Sequence, residues 1–222
     1  MTTLSPLDAE VWLFDLDNTL YHHQYDLFGG VSSKMTQFIM ERFSLPSDAA
    51  LARQKDYFQT YGTTLSGLML HHDVDPEDFL EYVHDIDYSI LPPNPELNVL
   101  LQRLDARKVI FTNGTRKHAR SVLEQLGIAE NVSEIFDIAD ADYIPKPEAE
   151  TYQKMLKKHA VTPEKAIMVE DMAINLRYPK EIGMQTVFIE TDEEWAQPDP
   201  NLPNVIDYRT DDLTSWLADQ LR

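Results

Sequence analysis

Short apolar runs alternate with amphipathic segments along most of this chain. Apolar runs between turn-forming residues are typical of buried parallel strands, and apolar positions at intervals of three and four are typical of helices. The runs predict strands over residues 10–15, 108–112, 135–138, 166–169, 186–189 and 205–206. Helices are predicted over residues 115–126, 147–159, 173–182 and 211–221. Since such alternation produces right-handed crossovers, we predict a doubly wound, three-layer, parallel-sheet α/β core of the Rossmann-like type.

The alternation is interrupted between the first strand and residue 93. Apolar positions in this stretch recur at helical spacing. They predict helices over residues 31–43, 47–60, 63–72 and 76–86. The three prolines within residues 91–95 mark a strong break before the alternating pattern resumes. We therefore predict an α/β core of residues 1–20 and 93–222, with residues 21–92 as an all-helical insert after the first strand.

The composition excludes several classes of function. The chain has 38 acidic and 19 basic residues, a formal charge of −19, which argues against a nucleic-acid polymer or an anionic membrane as a partner. It has no cysteine, which excludes disulfides, thiol chemistry and cysteine-based zinc sites. Since no apolar run approaches about 18 residues and no secretion signal is visible, we expect a soluble cytoplasmic protein. A monomer and a homodimer are both compatible with these features.

Two carboxylates at the end of the first predicted strand are the main chemical signal. Asp15 and Asp17 come directly after the apolar run from Val11 to Phe14. Residues two apart in an extended segment point the same way, so the two acids repel each other unless a cation, a shared proton or a positive neighbour is present. A lone pair of this kind is more often a polar turn, so its meaning depends on the residues at the ends of the later strands.

Three further polar clusters lie at the ends of predicted strands. Each cluster alone has an ordinary explanation. Thr112-Asn113 could cap a helix, and Lys146 could be a solvated loop residue. Glu170-Asp171 could be two acids at the start of a helix. In a parallel sheet, however, all the strand ends meet at one edge, where ligands bind. Together the clusters fit phosphoryl chemistry with Mg²⁺, in which Thr and Lys hold phosphate oxygens and a carboxylate is the nucleophile.

The order of these residues resembles that of the haloacid-dehalogenase-like hydrolase superfamily. The pattern is Asp15-x-Asp17-x-Thr19, followed by Thr112, Lys146 and Glu170-Asp171. In that family the helical insert is a cap domain of the first type, so the resemblance implies a cap over residues 21–92. An Asp at position 17, where dehalogenases have an aromatic residue, is the phosphatase form of the motif and disfavours dehalogenation.

The resemblance also implies a role for each residue. Asp15 is the nucleophile that forms an aspartyl-phosphate, and Asp17 protonates the leaving oxygen and then activates water. Thr112 and Lys146 hold the phosphoryl group. The implied Mg²⁺ ligands are Asp15, the backbone carbonyl of Asp17, Asp171 and, through water, Glu170. Asp17 can donate a proton only if its pKa is raised, and we expect the adjacent acid and partial burial to raise it.

The substrate is suggested by a resemblance to the pyrimidine 5′-nucleotidase branch, which acts on UMP and CMP. The similar segments are residues 15–21, 55–65 and 112–115. The candidate substrate contacts are Asn113, Lys55, Tyr61 and Thr63, although aromatic residues at helical spacing are more often part of a core. Other possibilities are a phosphatase of another small ester, such as a sugar or cofactor phosphate, a phosphomutase, and a non-catalytic regulatory or binding protein that keeps the fold.

Overall fold

The part of the chain that the structure describes forms a sheet of six parallel strands, as the alternating pattern predicts. The computed structural model describes residues 5–132, 134–192, 196–200 and 203–222, and the other positions, all in the predicted core, lie outside the described residues. The strands are β1 (Val11–Phe14), β2 (Arg107–Phe111), β3 (Glu134–Phe136), β4 (Ala166–Glu170), β5 (Gln185–Ile189) and β6 (Tyr208–Thr210). Their order across the sheet is β3-β2-β1-β4-β5-β6. The strand order reverses at β1, so the loop after β1 lies where ligands bind in such sheets.

Helices cover the sheet and also form the long connection between β1 and β2. In this connection lie α1 (Leu27–Phe43), α2 (Ser47–Tyr61), α3 (Thr64–His72), α4 (Pro76–Val83) and α5 (Pro95–Arg103). The later helices are α6 (Arg116–Leu126), α7 (Ala149–His159), α8 (Arg177–Glu181) and α9 (Leu213–Gln220). Within the described residues, none of the helices is long and apolar enough to cross a membrane.

Both faces of the sheet are buried, which gives the three layers. Successive β1 side chains point to opposite faces, so Trp12 and Phe14 pack in one cluster with residues of α5, α6 and α9. Val11 and Leu13 pack in a second cluster, which contains Tyr152 and other residues of α7. The predicted doubly wound α/β class is confirmed.

Helices α1 to α4 supply most of a third apolar cluster, which Ile138 from the loop after β3 also joins. It includes Ile39 from α1, Leu68 from α3 and Phe79 from α4. A Cβ atom at Gly67 would come within 2.4 Å of the Tyr57 side chain, so α2 and α3 approach each other so closely that only glycine fits there. The boundaries of a separate cap at residues 21 and 92 stay a prediction.

Three elements differ from the predicted pattern. Helix α5 is additional, because Pro95 opens it and the Asn94 side chain caps it by accepting from Leu97 N, so the proline-rich break also starts a helix. Residues 173–182 do not form one helix. Pro179 is tolerated only in a first turn, so a 3₁₀ turn precedes α8. The last strand lies at residues 208–210, where it pairs with β5, and not at 205–206.

Candidate active site

The acids of the site and Thr112 meet because Asp15, Thr112, Glu170 and Asp171 each end or directly follow a strand, and Lys146 reaches them from the loop between β3 and α7. Asp15 N donates to Val169 O at 2.9 Å, which extends the pairing of β1 with β4 by one residue. Thr112 N donates to Phe136 O at 3.1 Å and extends the pairing of β2 with β3 in the same way. One carboxylate oxygen from each of Asp15, Glu170 and Asp171 consequently lies within 4.8 Å of the other two.

Lys146 is the positive partner of this acidic group. Its side chain is buried, and its Nζ lies 2.7 Å from Asp15 Oδ1 and 3.1 Å from Glu170 Oε1. A third bond runs from Nζ to the carbonyl oxygen of Phe111, at 2.9 Å. All three ammonium protons therefore have acceptors, which fixes the charge between β1, β2 and β4.

Asn113 holds the Lys146 loop in place. Its Oδ1 accepts from Lys146 N at 2.8 Å, and its Nδ2 donates to Lys146 O at 3.3 Å. The side chain predicted to contact substrate is thus bonded to both backbone groups of the lysine. Asn175 has a similar supporting position, since its Nδ2 donates to Glu170 Oε1.

The acidic group carries more negative charge than Lys146 can balance. Burial and the repulsion of Glu170 raise the pKa of Asp15 to about 8, against the opposing attraction of Lys146. The pKa of Asp171 is raised well above its ordinary value by burial, Glu170 and Asp15. Burial alone would lower the pKa of Lys146, but Asp15 and Glu170 raise it. Three buried carboxylates against one ammonium group fit a divalent cation with oxygen ligands, such as Mg²⁺.

Within this group Glu170 is the most fully bonded acid. Besides its bonds with Lys146 and Asn175, its Oε2 accepts from the backbone N of Asp171 at 3.1 Å. Both Glu170 oxygens are therefore engaged by protein donors, which suits an indirect part in cation binding. The carboxylates of Asp15 and Asp171 are better suited to a direct one.

Asp17 has hydrogen-bond partners that the acidic group does not share. Its carboxylate accepts from Tyr21 Oη at 2.6 Å, and His118 Nε2 lies 2.9 and 3.1 Å from its two oxygens. Burial tends to raise the pKa of Asp17, but the attraction and hydrogen bond of His118, with the bond from Tyr21, hold it below the ordinary value. The expectation that the surroundings raise this pKa is therefore wrong for the site without substrate.

Thr112 and Gly114 form a tight turn beside the acids. Thr112 is buried, and its Oγ1 accepts from Gly114 N at 2.9 Å. A Cβ atom at Gly114 would lie 3.1 Å from His118 Cδ2 and 3.2 Å from Thr112 Oγ1. The absence of a side chain at Gly114 therefore lets the Thr112 hydroxyl and the His118 ring lie side by side.

The three candidate contacts from the helical insert have different surroundings. Lys55 is exposed on α2. Tyr61 Oη bonds His71 Nε2 at 2.5 Å, and Thr63 caps α3 by accepting from Ser66 N at 3.1 Å. These bonds stay within the insert. Gly62, between Tyr61 and Thr63, lies close to the Lys146 loop, since a Cβ there would be 4.0 Å from the Pro147 ring.

His118 is the main site residue that the sequence reasoning missed. It is fully buried in the first turn of α6, and it lies 101 residues from Asp17 in the chain. The sequence contains one signal for it, a histidine at the start of the helix that directly follows Thr112. Apolar spacing alone does not separate such a histidine from an ordinary residue of the helix.

A comparison with family models identifies the protein's family. The model described as haloacid dehalogenase-like hydrolase matches residues 10–181, a range that contains Asp15, Thr112, Lys146 and Asp171. The chain belongs to this hydrolase family. The superfamily predicted from the motif order is thereby confirmed.

One curated relative and several solved structures are also similar. Phosphate metabolism protein 8 of Saccharomyces cerevisiae is 26% identical over 193 residues, which cover 79% of this chain and 60% of that protein. The chain thus spans less than two thirds of that relative's length. L-2-haloacid dehalogenase from Xanthobacter autotrophicus has a TM-score of 0.61 at 14% identity, covering 95% of this chain and 97% of that one.

Two further structures hold ligands. YfnB from Bacillus subtilis, bound to magnesium, has a TM-score of 0.63 at 14% identity, covering 96% of this chain and 98% of that one. CbbY from Rhodobacter sphaeroides, in complex with phosphate, has a TM-score of 0.60 at 19% identity, covering 91% of this chain and 94% of that one. At these identities the structural likeness establishes the fold alone.

Proposed function

We propose that this hydrolase is a Mg²⁺-dependent phosphatase of small phosphate monoesters that acts through an aspartyl-phosphate on Asp15. The observation that carries the proposal is the Asp15 carboxylate at a strand end, 2.7 Å from Lys146 and grouped with Glu170 and Asp171. A carboxylate that is fixed beside an ammonium group, with room for a cation, is suited to attack a phosphorus atom. The name of the yeast relative, and the phosphate and magnesium in two similar structures, support this choice.

The first half of the proposed reaction transfers the phosphoryl group to the protein. An oxygen of Asp15 forms a bond to phosphorus, and the bond from phosphorus to the leaving oxygen breaks. Lys146 offsets the charge on Asp15 and the phosphoryl oxygens, and the Thr112 hydroxyl donates to one of those oxygens. Asp15, Asp171 and the backbone carbonyl of Asp17, with Glu170 assisting, would hold Mg²⁺, which would supply further neutralisation of the phosphoryl charge when bound.

Asp17 moves the protons in both halves. It gives a proton to the leaving oxygen, and in the second half it takes one from the water that attacks the aspartyl-phosphate. That attack releases phosphate and restores Asp15. Although the pKa of Asp17 is low in the site without substrate, the negative charge of a bound phosphate raises it and favours the acid form.

For the substrate we propose a pyrimidine nucleoside 5′-monophosphate such as UMP or CMP. The proposal rests on the resemblance in three segments and on the Tyr61–Thr63 turn, which lies beside the Lys146 loop where a leaving group would extend. In this proposal residues 21–92 act as a cap that excludes water and selects the leaving group, with Asn113, Lys55, Tyr61 and Thr63 as candidate contacts. The protein acts in the cytoplasm, as a monomer or a homodimer.

The function is tested with purified protein and a panel of phosphate esters. We expect phosphate release from 4-nitrophenyl phosphate with Mg²⁺, and loss of that activity with EDTA. UMP and CMP should be among the better substrates in a panel that includes purine nucleotides and sugar phosphates. Activity on other esters but not on UMP or CMP would contradict the nucleotidase assignment alone, whereas no hydrolysis of any ester would contradict the phosphatase itself.

Asp171→Asn tests the cation site by a measurement that does not depend on activity. Since the folded-state pKa of Asp171 is raised, its ionised form destabilises the metal-free fold above the ordinary carboxyl pKa. We expect the variant to unfold at an equal or higher temperature than the parent at pH 8 in EDTA. We also expect it to lose most of the stabilisation that Mg²⁺ gives the parent.

The control for this prediction is Asp207→Asn, at an acid that pairs with Lys180 beside the start of β6, away from the carboxyl ends of the strands where the acidic site lies. It should keep the full Mg²⁺ effect on the unfolding temperature. An unchanged Mg²⁺ effect in Asp171→Asn would exclude Asp171 as a ligand.

A further inference from the structure

His118 connects three separate parts of the chain at the active site. Its ring is fully buried, and Nε2 contacts Asp17 in the loop after β1. Nδ1 lies 3.0 Å from Tyr88 Oη, and the His84 ring is stacked on it with centroids 4.3 Å apart and planes 12° apart. His84 and Tyr88 belong to the connection between α4 and α5. The imidazole is therefore held by groups that the proposed reaction does not otherwise use.

The hydrogen bonds of Tyr88 determine whether Nδ1 of the His118 imidazole donates or accepts. Tyr88 Oη donates to the backbone carbonyl of His84 at 3.0 Å. A hydroxyl has one proton and a carbonyl oxygen can only accept, so the contact with His118 requires Nδ1–H to donate to Tyr88. The Asp17 carboxylate can only accept, so Nε2–H donates to it and both ring nitrogens of His118 act as donors.

The ring has little freedom to turn away from Asp17. His84 covers one face, and His84 Nδ1 is itself 3.2 Å from Thr115 Oγ1. The backbone N of His118 donates to the same Thr115 Oγ1 at 3.1 Å. The backbone of Gly114 lies close to the ring's edge, since a Cβ there would be 3.1 Å from His118 Cδ2. Backbone, ring face and Nδ1 are all restrained, so Nε2 occupies a defined point beside the Asp17 carboxylate.

We propose that His118 is a positioning residue that holds the Asp17 carboxylate where it exchanges a proton with the leaving oxygen. The inference rests on the proposed phosphatase function. It assigns no bond to phosphorus and no contact with substrate to His118. Its effect is on the orientation of Asp17, with Tyr88 and His84 fixing the imidazole from the connection that leads back from the helical insert.

This role predicts a dependence on the leaving group. Proton donation by Asp17 matters most when the departing oxygen is basic, because an acidic phenol leaves as its anion without a proton. A series of similar aryl esters varies that property at nearly constant size. The series is 2,4-dinitrophenyl, 4-nitrophenyl and phenyl phosphate. The ratio kcat/KM reports the steps through phosphorylation of Asp15, so it isolates proton donation from the later hydrolysis.

Two amide variants at position 118 form a matched pair. The amide nitrogen of Gln can take the place of Nε2, whereas the shorter Asn reaches only the Nδ1 position. We expect His118→Asn to lower kcat/KM about 100-fold on phenyl phosphate and less than about fivefold on the dinitrophenyl ester. His118→Gln should recover at least about tenfold of the loss on phenyl phosphate, because it still donates to Asp17. His159→Gln, at a histidine bonded to Glu134 at the opposite edge of the sheet, is the control and should match the parent on all three esters.

An equal loss on all three esters, or equal behaviour of the Asn and Gln variants, would overturn the positioning role. If His118→Asn does not fold, Tyr88→Phe is the second test, since it removes the acceptor for Nδ1 and the bond to the His84 carbonyl while leaving the imidazole itself in place. A loss that grows from the dinitrophenyl to the phenyl ester supports the role, and a uniform loss or none contradicts it. Failure of the parent protein to hydrolyse any ester would contradict the proposed function itself.

Discussion

Asp15→Asn is expected to lower phosphate release by about 10⁴-fold or more, because an amide cannot form the aspartyl-phosphate. The variant should fold, since Asn keeps the shape of Asp15 and Lys146 keeps its bonds to Glu170 and Phe111. Burial and Glu170 already disfavour the ionised form of Asp15, so removing that charge relieves repulsion in the metal-free protein. The measurement is steady-state hydrolysis of 4-nitrophenyl phosphate with Mg²⁺.

Mass spectrometry separates the nucleophile from other roles of this residue. Acid-quenched parent protein should carry a phosphoryl group on the peptide that contains Asp15, and the Asn variant should carry none. Asp142→Asn, at an exposed acid paired with Lys154, is the control and should leave the rate unchanged. Activity of Asp15→Asn within tenfold of the parent would mean that another group attacks phosphorus.

Lys146→Met should give the largest loss of stability among the changes considered. It leaves the buried carboxylates of Asp15, Glu170 and Asp171 without their positive partner. Removing one side of a buried ion pair typically lowers the free energy of unfolding by about 3–5 kcal/mol. We expect Mg²⁺ to restore part of this loss, since a cation bound to the same oxygens would neutralise them. Activity should stay low, because Lys146 also holds the phosphoryl group in the proposed mechanism.

Urea unfolding in EDTA and in Mg²⁺ measures both effects. Lys165→Met is the matched control, because Lys165 forms an exposed pair with Glu10 and should change the free energy of unfolding by less than about 1 kcal/mol. Equal losses in the two lysine variants would show that the contacts of Lys146 do not support the fold. If Mg²⁺ does not reduce the loss of unfolding free energy in Lys146→Met, the cation does not neutralise the carboxylates that Lys146 pairs with.

The sequence by itself determined the fold class and the members of the acidic site. Four-residue apolar runs such as Val11–Phe14 are local signals, and the parallel arrangement brings the residues after them to one edge. Asp15, Thr112, Lys146 and Asp171 were therefore identifiable from their places after predicted strands. Local signals did not predict helix α5. Three nearby prolines indicate a break in the chain whether or not one of them also opens a helix.

Only the tertiary structure decided how the polar side chains are paired. Asp17 and Asp15 are two residues apart and were expected to share one environment, yet Asp15 bonds Lys146 and Asp17 bonds Tyr21 and His118. Asn113 likewise supports the backbone of Lys146. The partners from distant elements are 33 to 131 residues apart in the chain, and packing of those elements selects them. Periodicity determines which face of an element is buried, but a hydrogen bond between distant side chains depends on distances of tenths of an ångström that only the assembled fold defines.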